Sequence, residues 1–352
     1  MLLCVLAATA PAAAQDRPGR GPQTDQAVPV SRGAHLVIDN FAGEVVVHTW
    51  DKDSLRVQAR HAARTRISIR TGVNGVNVAA ESSNGANGSV DYDITAPAWM
   101  AMKIEGHYNY VTIDGVQGDV SIVTVRGDIV VKGGAAVTAR TIEGEIQVDG
   151  ARGKIDLSSV NQGIPVTGTT GDIAADTTNG SITLARIESN RVEVATVNGD
   201  VSYEGTLAAN GRYSFTTHNG DIVMTVPESS NATFTVRTYN GELMTSLPLK
   251  GPATSEVRGG RRVGFTLGNG SAEVEMESFG GAIRLRRPGA TQTGRNQQKP
   301  VFRPAGRAPT AGGSQPASVR ARSSRRDRLV MSAGSAYRSI SWRPSGNVIT
   351  SS

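Results

Sequence analysis

One six-residue phrase recurs through the middle of this chain and constrains its fold more than any other feature. Thr196-Val-Asn-Gly-Asp-Val201 is echoed at Thr124–Ile129, Thr141–Ile146, Ser159–Ile164, Thr177–Ile182, Thr217–Ile222 and Thr238–Leu243. The first positions advance by 17, 18, 18, 19, 21 and 21 residues. A period in that range identifies a stack of small units, none able to bury its apolar face alone.

The flanks repeat too. Apolar pairs with one residue between them precede each phrase, as in Val137/Ala139, Ile155/Leu157, Ile173/Ala175, Val192/Val194, Tyr213/Phe215 and Phe234/Val236. Another set follows: Ile129/Val131, Ile146/Val148, Ile164/Val166, Ile182/Leu184, Val201/Tyr203 and Ile222/Met224. Alternation with period two is a strand with one face buried. Each unit therefore reads as strand, Asn-Gly corner, strand, then a second corner such as Gly150-Ala-Arg-Gly153 or Gly168-Thr-Thr-Gly171. Asn-Gly between alternating segments is also the strongest hairpin signal, and serial hairpins would give an antiparallel meander or sandwich. Near-equal units with matching inward positions favour the other solution, in which the chain always advances the same way. The expected fold is all-β, a parallel β-solenoid (β-helix-like) with coils of roughly 17–21 residues.

That stacking assigns duties to the corner residues. Asn161, Asn179, Asn198, Asn219 and Asn240 are expected to lie above one another and bond through their amides. Gly127, Gly144, Gly180, Gly199, Gly220 and Gly241 are expected to supply positive φ. Thr124, Thr141, Thr177, Thr196, Thr217 and Thr238 form a ladder of β-branched residues. A looser version of the pattern occupies 30–113, beginning with Leu36–Val47, and fading repeats at 263–267, 272–276 and 282–285 close the domain.

The ends are different material. Residues 1–14 are apolar and finish on Ala12 and Ala14, the h-region and cleavage pattern of a signal peptide, though without a basic n-region. Cys4, the one cysteine, follows Leu2 and Leu3 and offers a lipoprotein as the lesser reading. Residues 15–29 read as a flexible lead-in. The repeat domain spans 30–287. Residues 288–352 hold eleven basic residues against Asp327, with abundant Pro, Gly and Ser, and are expected to be a disordered, basic tail. No apolar run is long enough for a transmembrane helix in the mature chain.

The series resembles the "putative adhesin" family, bacterial exported domains of unknown function built from short β-strand repeats. Asp39-Asn-Phe-Ala-Gly-Glu-Val45, Ile94-Thr-Ala-Pro97, the Asn-Gly-Asp/Glu phrases and Phe279-Gly-Gly-Ala-Ile-Arg-Leu285 carry the resemblance over roughly 30–287. It implies a solenoid-like fold and a cell-envelope location, and transfers no catalytic residue.

Parallel β-helices also host polysaccharide lyases and hydrolases, which need carboxylates grouped on one face. The fifth phrase position offers Asp128, Glu145, Asp200, Asp221 and Glu242, interrupted by Gly163 and Ser181. The plainer reading is solvated turn residues beside glycine. His35, His48, His61, His107 and His218 lack metal spacing. Gly153-Lys154 precedes Ile155, so it is no phosphate loop. Trp50, Trp99, Tyr108, Tyr110 and Tyr239 could form a sugar-stacking patch, although core and strand-pair roles fit them as well. No catalytic, cofactor-binding or metal residue is assigned, and no cofactor is expected. The Arg-rich tail suits anionic envelope polymers or surface glycans, and export disfavours nucleic acid. The expectation is an exported structural or adhesive protein, not an enzyme. A carbohydrate-active β-helix enzyme and an envelope-stress sensing or binding module are the alternatives.

Overall fold

The computed structural model describes residues 24–82, 88–248, 250–257 and 260–289, and among them every regular element is a strand. The segment 1–14 and all of the basic tail beyond Gly289 lie outside the described residues. The N-terminal end is built from β1 (Thr24–Pro29), β2 (His35–Trp50), β3 (Ser54–His61), β4 (Thr65–Gly72), β5 (Gly75–Ser82), β6 (Val90–Pro97) and β7 (Ala101–Val116). Thr24–Pro29 falls in the stretch read as a flexible lead-in. It is instead a strand, antiparallel to β3, with Ala27 opposite Arg56.

The repeats follow as β8 (Val120–Val123), β9 (Ile129–Gly133), β10 (Val137–Arg140), β11 (Ile146–Asp149), β12 (Ile155–Ser159), β13 (Ile164–Thr167), β14 (Ile173–Asn179), β15 (Ile182–Asn198), β16 (Val201–Asn219) and β17 (Ile222–Thr225). They form two ladders, parallel throughout. Ladder A runs β7–β9–β11–β13–β15–β16–β17, joining Ile129 to Ile146, Ile164 to Ile182, Ile182 to Val201 and Val201 to Ile222. Ladder B runs β7–β8–β10–β12–β14–β15–β16, joining Val137 to Ile155, Ile155 to Ile173, Ile173 to Val192 and Val192 to Tyr213. Each Asn-Gly corner thus carries the chain from ladder B to ladder A, not back along its own strand. One passage through both ladders is a layer, and a layer is one sequence repeat.

The two ladders share one core. Ile182, Leu184, Val192 and Val194 of a single layer are at most 1% exposed. Each such side chain removed from water contributes about 2 kcal/mol. The longer repeat at β16 has a packing cause. Tyr203, Tyr213 and Phe215 fill the interior edge to face, and the extra residues of the adjoining corner meet the phenols. The Tyr203 hydroxyl donates to Thr206 O at 2.8 Å, and the Tyr213 hydroxyl donates to Ser189 O at 2.5 Å.

The C-terminal end departs from serial stacking. It comprises β18 (Ala232–Thr238), β19 (Leu243–Thr245), β20 (Lys250–Val257), β21 (Gly260–Leu267), β22 (Ala272–Ser278) and β23 (Ile283–Arg286). The last layer, β22–β23, inserts between β16–β17 and β18–β19. Thr217 pairs with Ser278, and Ser278 with Thr238, while Ile222 pairs with Ile283, and Ile283 with Leu243. Thr238 and Asn240 therefore do not sit on Thr217 and Asn219 as the repeat order suggests. The N-terminal end does the same in mirror order, because β2 lies between β5–β6 and β7. Antiparallel strands then cover both ends, β4 with β1 and β3 at one, β21 and β20 at the other. Changing direction there replaces a long parallel edge, which invites pairing with another chain.

Candidate functional site

The Asn-Gly corner is the most repeated surface of the molecule. Each of its residues does a definable job. The hydroxyls of Thr177, Thr196 and Thr217 turn inward and donate to the carbonyls of Gln162, Gly180 and Gly199 in the layer below, at 2.9–3.0 Å. Ser159 and Ser278 do the same toward Gly144 and Gly220. The Asn amides form a chain, Asn219 to Asn198 to Asn179 to Asn161, at 2.8–3.0 Å. The glycines need a different explanation from positive φ. Of the six phrase glycines only Gly127 has it. A Cβ on Gly144, Gly180, Gly199, Gly220 or Gly241 would instead collide with a backbone carbonyl of the adjacent layer. The layers approach too closely there for any side chain. Positive φ is used at the opposite corner, by Gly133, Gly150 and Gly168, and there by Arg186 with φ 55°.

The fifth-position acids are held by the fold. Asp128 Oδ1 accepts the backbone N–H of Glu145 at 2.9 Å, and Asp200 Oδ1 accepts that of Asp221 at 2.8 Å. Asp221 accepts the N–H of Ala282 and pairs with Arg284. Glu145 and Glu242 are exposed. These carboxylates stitch one layer to the next, a more specific duty than a solvated turn. Among the described residues no three His, Cys, Asp or Glu side chains are placed to hold a metal ion. Arg and Glu do meet in a groove of about 460 Å³ on ladder B, lined by Arg191, Glu193, Arg212, Arg262, Glu273 and Glu275. Its ion pairs, Arg212–Glu273 at 3.5 Å and Arg191–Glu193 at 3.8 Å, are solvated.

The histidines are dispersed. His61 bonds Thr24 at 2.8 Å, and His35, His48, His107 and His218 are exposed on different strands and corners. Lys154 simply follows the Gly153 corner into β12. The aromatic residues divide. Trp50 and Trp99 are half-buried and tethered, donating to Ser54 O at 2.7 Å and Asp53 Oδ1 at 3.2 Å. Tyr108, Tyr110 and Tyr239 face solvent.

Tyr239 belongs to a feature that the strand pattern alone does not reveal. The second position of the phrase points outward, so Val125, Ile142, Val160, Val197 and Tyr239 form an exposed column along the corner, with Thr178 and His218 in the same series. At its C-terminal end the inserted layer places Phe279 between His218 and Tyr239. The Phe279 and His218 rings stack at 4.7 Å with planes 8° apart, and Tyr239 lies 5.0 Å away on the other side. Phe279 is 41% exposed and Tyr239 37%. A groove of about 600 Å³ runs beside these rings, lined also by Asp176, Thr178, Val197, Thr216 and Glu277. The alternation of apolar and polar residues hides this column, because position two sits in a turn.

An all-β repeat domain whose corner side chains hold its layers together is the class that fold and corner define. The chain belongs to the Toastrack DUF4097 family, whose model matches residues 34–286. Three solved structures are similar. One is described as a putative adhesin from Parabacteroides distasonis ATCC 8503, with 12% identity, 76% of this chain and 98% of that chain covered, and a TM-score of 0.32. The second is a putative adhesin from Parabacteroides merdae ATCC 43184, with 8% identity, coverage of 76% and 97%, and a TM-score of 0.33. The third is a putative cell adhesion protein from Clostridium sporogenes ATCC 15579, with 10% identity, coverage of 75% and 99%, and a TM-score of 0.22. No curated protein matches the chain.

Proposed function

We propose that this chain is an exported, non-catalytic β-solenoid of the bacterial cell envelope that acts by presenting surface, in adhesion or structural support. The observation that carries the reading is the exposed apolar column of the Asn-Gly corner. Scattered exposed apolar residues are ordinary, but a continuous row of them marks an interaction surface. The acids beside it, which an enzyme would use, already hold backbone N–H groups of the next layer. Export follows from residues 1–14. In this reading the basic tail is a disordered extension that adds salt-sensitive attraction to anionic polymers.

The test is retention of the purified chain on isolated envelope fragments. Ile142→Asp and Val197→Asp are expected to abolish retention without lowering the melting temperature. Ending the chain at Arg287 is expected to remove only the salt-sensitive part. Retention unchanged by both aspartates would contradict the reading. A carbohydrate-active enzyme is the second reading, favoured by the Glu273/Glu275 groove with its neighbouring arginines. Release of reducing sugar that is lost in Glu275→Gln would establish it.

A further inference from the structure

We infer that Phe279, His218 and Tyr239 form a stacking platform for a neutral, gluco-configured, β-linked glycan. This rests on the adhesive reading and gives it a site and a ligand class. The three rings come from three neighbouring layers, and they adjoin only because β22–β23 enters out of chain order. Backbone bonds lock that arrangement. Gly280 N donates to His218 O at 2.9 Å, and Asn240 N donates to Phe279 O at 3.0 Å.

The chemistry of the groove selects the ligand. A gluco-configured pyranose has flat C–H faces and a rim of equatorial hydroxyls. The C–H faces, weakly positive, suit the negative faces of aromatic rings. The rim requires acceptors and donors, which Asp176, Glu277, Thr178 and Thr216 supply along the same groove. Two carboxylates and no Arg or Lys line it, so polymers bearing uronate or phosphate are repelled. A volume of about 600 Å³ falls in the range of pre-formed ligand clefts. Beyond the rings, Val197, Val160, Ile142 and Val125 continue the column at the roughly 4.8 Å spacing of paired strands. That continuation is a track for a linear chain and not for a single sugar. The aromatic group at the far end of the corner differs. Phe41 lies 5.8 Å from Tyr108, and the Arg126 guanidinium already covers the Tyr108 ring at 5.9 Å.

The experiment is calorimetric titration of the full chain with N-acetylchitohexaose and cellohexaose, with polygalacturonate as the anionic probe and envelope retention measured in parallel. Binding of a neutral hexasaccharide is expected. Phe279→Ala and Tyr239→Ala should each weaken it about tenfold, the effect of losing one aromatic anchor. Tyr239→Phe, which keeps the ring, should retain affinity, and this pair decides the matter if Phe279→Ala lowers the melting temperature. Undiminished binding by both alanine variants would overturn the site and leave the adhesive reading standing. Binding of polygalacturonate alone would overturn the ligand class. Envelope retention with no hexasaccharide bound would overturn the glycan assignment, whereas loss of retention itself would remove the adhesive reading too.

Discussion

At the Asn-Gly corner, Gly199 and its counterparts are present because layers meet, not because the backbone turns left-handed. Two substitutions separate these causes. Gly199→Ala pushes a Cβ into the Gly180 carbonyl and is expected to lower stability by about 3 kcal/mol, the upper range of overpacking. Gly150→Ala, at φ 71° with nothing within 4 Å of the added carbon, carries only backbone strain of about 1 kcal/mol. Chemical denaturation measures both, and the reverse order would restore the positive-φ explanation. Asp200 gives a second case. Asn keeps an oxygen for the Asp221 N–H, so Asp200→Asn should stay within about 0.5 kcal/mol of wild type, while Asp200→Ala loses about 1 kcal/mol. Equal losses from the two would show that the charge matters. The types at these corners were legible from the repeat, and the Asn161–Asn219 amide chain was read correctly. The reason for glycine was not, because contact between layers depends on a spacing that no single repeat displays.

At the scale of strands, burial of the apolar positions was legible throughout, since each Ile and Val of the alternating pairs faces the shared core. Ile182 is fully buried between Ile164 and Val201. Ile182→Asp should leave the chain unfolded at ambient temperature by circular dichroism, because an unpaired carboxylate would lie between apolar layers. Ile182→Ala should lose about 3 kcal/mol. The phenols within the strands set a pH limit. Burial raises Tyr203 and Tyr92 well above the ordinary phenol value, with Tyr213 and Asp39 adding repulsion respectively, and burial raises Tyr213 as well. Below about pH 10 folded and unfolded chains are equally protonated at these groups, so they have no effect. Above it the unfolded chain releases protons that the folded chain retains, and stability falls by about 1.4 kcal/mol per pH unit for each phenol. The Tyr92 hydroxyl is buried with no hydrogen-bond partner among the described residues. Tyr92→Phe should therefore not destabilise the protein at pH 7 and should make the alkaline fall shallower. A steeper fall would contradict burial as the cause.

Across the whole molecule, the parallel direction of the repeats could be read from their equal length, but the order of layers at the two ends could not. Thr238–Leu243 carries the same phrase as Thr217–Ile222, so sequence similarity alone stacks one on the other. Position in the chain holds no record that β22–β23 enters between them. Both ends use this insertion, which pins the first and last long strands inside the stack and leaves antiparallel strands at the edges. The aromatic platform depends on it, since serial stacking would place Tyr239 directly on His218 and leave Phe279 outside. Disulfide trapping tests the order most directly, in a Cys4→Ser background that removes the native thiol. Thr216 is in register with Glu277, and Glu277 with Arg237. Adjacent paired strands bring Cα atoms within disulfide range, whereas strands two apart exceed it. Thr216→Cys with Glu277→Cys is expected to oxidise to an intramolecular disulfide with the fold intact, and Thr216→Cys with Arg237→Cys is expected to remain reduced. Efficient bonding in the second pair and none in the first would contradict the inserted layer, and with it the platform.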